Sequence, residues 1–135
     1  MKKIISVETL AKAISKLKAK GKKVVLCHGV FDLLHIGHIK HFKEAKKLGD
    51  ILVVTVTQDK YVNKGPNRPI FLLNTRMESI AALKDIDYVA PNIFSNAIQL
   101  IKMLKPDIYC KGKDYKNYNL DITDQIKKEA LAVKS

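Results

Sequence analysis

Between Val7 and Lys20 the apolar residues Val7, Leu10, Ala11, Ile14 and Leu17 recur every three or four positions. That spacing predicts an amphipathic helix with Ser6 as its N-cap and Gly21 as its stop. The pattern then changes: Val24, Val25, Leu26 and Cys27 form an unbroken apolar run inside Lys23 to His28, which reads as a strand buried on both faces and broken by Gly29. A second helix is predicted from about Ile36 through Leu48. Gly49 and Asp50 turn the chain into Ile51 to Val56, β-branched and almost wholly apolar, the clearest strand in the sequence. Gln58 to Pro69 holds Gly65, Pro66, Asn67 and Pro69 without periodicity and reads as a loop, made cationic by Lys60, Lys64 and Arg68. Helical spacing returns with Met77, Ile80, Ala81 and Leu83 and ends near Asp85. Tyr88 to Ala90, before Pro91, is a short strand. Ser95 is the expected cap of a helix carrying Ala97, Ile98, Ile101 and Leu104, and Pro106 precedes the strand Asp107 to Cys110. Ile122 to Val133 reads as a final helix.

Strands alternating with helices across short turns predict an α/β fold, a parallel sheet covered on both faces. With 135 residues, 47% of them hydrophobic, the chain supplies one packed core, so residues 1–135 are expected to form a single domain. No apolar run is long enough to span a bilayer, and Met1 to Ser6 is followed by Glu8 and Lys12, so a soluble, cytoplasmic protein with no membrane partner is expected. Cys27 and Cys110 lie far apart inside apolar runs and form no Cys-x-x-Cys pair, which points to reduced core residues. Lys and Arg total 25 against 13 Asp and Glu, a formal charge of +12 that favours phosphate-rich partners. Most of these lysines fall on solvated helix faces and turns.

The chemistry concentrates at Gly29-Val30-Phe31-Asp32-Leu33-Leu34-His35-Ile36-Gly37-His38. In an open parallel sheet ligands bind beyond the carboxyl ends of the strands, and this segment follows the first strand. Gly29 is expected to allow a sharp turn. His35 and His38 are three apart and would lie together at the positive end of a helix. Gly37 would leave room for a phosphate to approach the backbone amides. Asp32 also reads as a cap of the turn, while His28 and His41 read as core histidines.

The whole run from Gly29 to His38, after a buried strand and before a helix, resembles the signature of the cytidylyltransferase-like superfamily. The resemblance extends through IKHFKEAKKLGD, ILVVTVTQD, the KGPNRPI loop, TRMESIAALKDIDYV and KPDIYCKGKDY, roughly residues 22 to 116. The branch it points to includes glycerol-3-phosphate cytidylyltransferase and the nucleotidyltransferase domain that activates heptose 1-phosphate for surface polysaccharides.

That resemblance implies a Rossmann-like fold and transfer of CMP or AMP from CTP or ATP to a sugar or polyol phosphate, with release of pyrophosphate. It implies Mg²⁺ as cofactor, His35, His38, Lys64 and Arg76 as catalytic residues, and Arg68 as a ligand of the acceptor phosphate. Gly29, Val30, Phe31, Asp32, Gly37, Lys111, Gly112, Asp114 and Tyr115 are implied in nucleotide binding, and Asp32 in holding the metal through water. A homodimer is also implied. Relatives continue into another strand and a Ser/Thr-rich motif absent here, and Thr123 is no substitute. The domain is therefore expected to be incomplete at its C-terminal end, lacking its last strand, with an uncovered sheet edge that favours self-association.

Two other readings share these residues. His-Ile-Gly-His also marks class I aminoacyl-tRNA synthetases, but their second Lys-Met-Ser-Lys-Ser-type loop and tRNA-binding domains are absent. Aromatic residues are 7% and do not alternate with basic ones, so nucleic acid is not an expected partner. A non-catalytic nucleotide-binding domain, or a piece of a longer bifunctional protein, is the alternative to an active transferase.

Overall fold

The computed structural model describes residues 2–62, 65 and 67–111. Along the chain come α1 (Val7–Ala19), β1 (Val24–Gly29), α2 (Ile36–Lys46), β2 (Ile51–Val56), a 3-10 turn (Asp59–Tyr61), α3 (Leu73–Ala81), β3 (Tyr88–Pro91), α4 (Ala97–Leu104) and β4 (Ile108–Lys111). The expected helix at Ile122 to Val133 lies outside the described residues, as do Lys64, Gly112, Asp114 and Tyr115.

α1 begins and ends as its sequence predicts. The Ser6 hydroxyl accepts from the Thr9 amide, and Gly21, at φ 82°, takes the left-handed conformation past the helix end. The amides of Gly21 and Lys22 then close on the carbonyls of Lys18 and Leu17, satisfying groups a helix end would otherwise leave open. At α4 the cap is Asn96 rather than the expected Ser95. Its side-chain oxygen accepts from the Ile98 amide at 2.9 Å, a two-residue reach suited to a short amide side chain. α3 closes at Ala81 instead of near Asp85, and Leu83 packs inward from the following turn.

All strand pairings are parallel, in the order β3-β2-β1-β4. Successive side chains alternate between the two faces. Val25, Cys27, Leu52 and Val54 meet Phe42 and Ala45 of α2 and Met77 and Ile80 of α3. Val24, Leu26 and Val53 meet Leu10 and Ile14 of α1 and Leu100 and Leu104 of α4. Both faces are therefore covered, which is why the strands read as unbroken apolar runs. Each such aliphatic side chain, taken from water, contributes about 1.5–3 kcal/mol before entropy is counted.

Where the strands begin, three aspartates satisfy amides the sheet leaves unpaired. Asp50 accepts from Lys23 N, Asp107 from Val24 N and Asp87 from Leu52 N, each at 2.8 Å. Among the described residues no helix is long and apolar enough to cross a membrane.

Candidate active site

The chain builds β1, β2 and β3 in one direction and then crosses through α4 to place β4 on the other side of β1. Beyond the carboxyl ends of β1 and β4, where the strand order reverses, a parallel sheet leaves its ligand crevice. The segment Val30 to His35 occupies that edge, and Lys111, opposite His28 in register, ends β4 beside it.

The turn after β1 works differently from its sequence expectation. Gly29 completes the strand, and the left-handed residue is Phe31, at φ 50°. A Cβ on Gly29 would stand 2.9 Å from the Phe31 ring, so glycine is needed there to admit the ring. That ring packs edge-on against His38 (centroids 5.6 Å apart) and at a tilt against Phe42 (5.3 Å), fixing the start of α2 beneath the loop.

His35 caps α2: its Nδ1 accepts from the Gly37 amide at 3.0 Å, while His38 Nδ1 accepts from the His35 amide at 3.2 Å. The two imidazoles close a reciprocal capping box with centroids 4.1 Å apart. A ring whose Nδ1 accepts an amide hydrogen carries its own proton on Nε2 when neutral. The cap thereby fixes both rings in the tautomer that presents N–H groups, at the positive end of a helix dipole. The expected role of Gly37 is corrected in one respect: its amide is held by His35 and is not open to a phosphate. A side chain there would meet the His35 ring at 2.7 Å.

Asp32, implied as a metal-holding group, is committed to the loop after β2. Its carboxylate accepts from the amides of Ile70 and Phe71, both at 2.8 Å, and from the Arg68 guanidinium at 3.4 Å. Burial pushes this carboxyl up, but the Phe71 and Ile70 amides and Arg68 outweigh it and hold it below the usual 3.8. With both oxygens engaged, Asp32 does not fit a metal ligand; it ties the basic loop after β2 to the turn after β1. Arg68, about a third exposed, remains at the mouth of the site.

Arg76 is also corrected. Instead of facing a substrate, its side chain is fully buried, with Nε on Phe71 O at 2.9 Å, one terminal nitrogen on Val30 O at 2.7 Å and the other on Asp59 at 2.7 Å. Asp32 and Arg76 thus hold Val30 to Asp32 and Arg68 to Phe71 as one unit. Asp59, in the 3-10 turn, escaped sequence reasoning; its place just past the carboxyl end of β2 was the available signal.

Behind the turn, His28 Nδ1 meets Thr55 Oγ1 at 2.9 Å, and the Thr57 hydroxyl donates to Gly29 O at 3.3 Å. Burial lowers His28 to about 4, against the raising contact with Thr55. His41 is likewise lowered to about 4, by burial and by the nearby His38. Both rings are neutral near pH 7, as core histidines should be. Cys27 and Cys110 are free, buried and opposite one another in register. The contact with Cys110, together with burial, holds the Cys27 thiol well above 9.0.

Residues 26–135 match the family described as cytidylyltransferase-like. The sequence is 42% identical over 110 residues to the bifunctional protein HldE of Sulfurimonas denitrificans, covering 80% of this chain and 23% of that protein. It is 44% identical over 115 residues to the bifunctional protein HldE of Citrifermentans bemidjiense, covering 84% and 24%. The chain thus spans about a quarter of the length of these relatives. Among solved structures, the lipopolysaccharide core biosynthesis protein of Thermoplasma volcanium superposes with a TM-score of 0.67 at 38% identity, over 80% of this chain and 88% of that one.

Proposed function

Because the chain belongs to the cytidylyltransferase-like family, we propose that it is a nucleotidyltransferase that moves CMP or AMP from CTP or ATP onto a sugar or polyol phosphate. A phosphate oxygen of the acceptor attacks the α-phosphorus of the nucleotide in line, and the bond to pyrophosphate breaks. The acceptor oxygen is anionic near neutral pH, so no general base is needed and the protein's contribution is positioning and charge stabilisation. His35 and His38 donate from Nε2 to the oxygens on which charge develops. The observation supporting this is the reciprocal cap that commits both Nδ1 atoms to backbone amides.

Arg68 reaches the acceptor phosphate from the loop after β2, with Lys64 as its partner cation. Gly29, Val30 and Phe31 shape the nucleotide side of the crevice, with Lys111 at the end of β4 and Gly112, Asp114 and Tyr115 following it in the sequence. Asp32 and Arg76 act as positioning residues. Mg²⁺ belongs to this reading as the counter-ion carried by the triphosphate. The likeness to a lipopolysaccharide core biosynthesis protein and to HldE proteins favours a sugar phosphate destined for a cell-surface polysaccharide, handled in the cytoplasm by a homodimer.

The test is pyrophosphate release from CTP and from ATP with a panel of sugar and polyol phosphates, with the product identified by mass. A nucleoside diphosphate sugar from one pairing supports the reading. Nucleotide binding with no turnover across the panel would favour the non-catalytic alternative.

A further inference from the structure

In this parallel fold each helix runs back against the strands, so the four helices of the described residues end at the edge where the strands begin, opposite the histidines. That edge gathers lysines that look scattered in the sequence. The end of α1 and its following turn bring Lys16, Lys18, Lys20, Lys22 and Lys23. α2 brings Lys43, Lys46 and Lys47 at its end, the turn after α3 brings Lys84, and α4 brings Lys102 and Lys105. All but Lys46 are exposed.

The segments are joined physically: Lys18 Nζ donates to Lys105 O at 2.8 Å, and Lys46 Nζ reaches Asp50 O at 2.9 Å and Asp87 at 2.6 Å. The carboxylates of Asp50, Asp87 and Asp107 accept from amides at the strand starts, Glu44 pairs with Lys47 at 3.1 Å and Asp85 lines the cavity, so among the described residues ammonium groups outnumber carboxylates on this surface. Complementing the helix dipoles accounts for lysines in the last helical turns. It does not account for Lys22, Lys23 and Lys84 in the turns beyond.

Between α2 and the turn before β3 a cavity of about 450 Å³ opens at this edge. Ile39, Phe42 and Leu83 form its floor, and Lys43, Lys46, Lys47 and Lys84, against the one carboxylate of Asp85, line the rest. An apolar floor under a cationic rim fits an anion with a hydrocarbon body. We propose that this edge docks the protein peripherally on an anionic phospholipid bilayer, with the cavity receiving a lipid phosphate and its adjoining carbons. Both arginines, Arg68 and Arg76, belong to the opposite edge, as do the exposed aromatic residues Tyr61 and Phe71. Among the described residues, bidentate and stacking groups that read nucleic acid are therefore missing from this surface, whereas lysine point charges suit a diffuse negative plane. Docked this way, the histidines face away from the membrane. The proposal stands independently of the transferase reading.

The test is co-sedimentation of the full chain with vesicles of phosphatidylcholine alone or containing about 30% phosphatidylglycerol at about 50 mM salt. Binding is expected only to the anionic vesicles. It should weaken at least about tenfold at about 500 mM salt, and about as much in the combined variant Lys43→Gln, Lys47→Gln, Lys84→Gln. The paired variant Lys12→Gln, Lys60→Gln, away from the cavity, should bind within about twofold of the parent, and circular dichroism checks that each variant is folded. Undiminished binding by the triple variant, or no binding to anionic vesicles, overturns the proposal. Displacement by inorganic phosphate at matched ionic strength would reassign the cavity to a free anion, and preference for duplex DNA over vesicles would reassign the edge to nucleic acid; either result overturns it as well.

Discussion

Replacing Arg76 by methionine removes the guanidinium while filling most of its volume. In the parent, that group is inaccessible to solvent and donates to Phe71 O, Val30 O and Asp59. Hydrogen bonds from a charged donor contribute about 1.5–3 kcal/mol each, and the two carbonyls would be left without this donor. The ion pair adds less, because Asp59 is 39% exposed and water can take it back. The expected loss is therefore about 3–6 kcal/mol, a large share of the roughly 5–15 kcal/mol that holds a domain of this size together. Arg76→Lys, a single point donor in place of a planar fork, should lose about half as much. Urea titration followed by circular dichroism is the assay, since the chain has no tryptophan. A double-mutant cycle with Asp59→Asn should give a coupling of no more than about 1 kcal/mol. If Arg76→Met kept its stability within about 0.5 kcal/mol while losing catalysis, Arg76 would be a substrate ligand and not the group that holds Val30 to Phe71.

Stability should also depend on acid through His28 and His41. Both titrate near 4 in the fold and near 6.5 when unfolded, so their contribution is intact above 6.5 and is lost as pH falls toward 4. The slope is up to about 1.4 kcal/mol per pH unit for each, giving about 3 kcal/mol per histidine over the window; urea midpoints that stay flat from about pH 6.5 to about 4.5 would contradict this. Gly29→Ala puts a methyl 2.9 Å from the Phe31 ring, and displacing that ring should cost about 1–3 kcal/mol and weaken nucleotide binding; an unchanged midpoint would show that the ring does not constrain the turn. Asp32→Ala should free the Arg68 to Phe71 loop, seen as faster hydrogen exchange of the Ile70 and Phe71 amides without loss of a bound metal. Unchanged exchange there would return Asp32 to the list of ligands.

The strands, α1 and the histidine pair were legible because each rests on a local rule: unbroken apolar runs, spacing of three and four, a cap and a glycine stop. The Schellman closure at Gly21 and the Ser6 cap are decided within a few residues, so the sequence carries them openly. Asp32 and Arg76 were misjudged because their roles are non-local. An aspartate after a strand and an arginine opening a helix look the same whether they meet a ligand or one another's loops. Only the folded chain, which sets Asp32 against residues 38 and 39 positions away, tells them apart. The strand order was not legible either, since alternation of elements leaves open on which side of β1 the last strand lies. Ser95 and Asn96 compete for the same cap, and the choice turns on backbone angles that composition does not fix.

Foremost is nucleotide binding by the capped histidines at the start of α2. It is tested most directly by calorimetric titration of the full chain with CTP and with ATP, each with Mg²⁺, and again with His38→Ala. Saturable binding of one nucleotide, weakened at least about tenfold by the substitution, is the predicted result; it corresponds to about 1.4 kcal/mol of lost interaction. Equal affinity in the folded variant would place the nucleotide elsewhere and contradict the account.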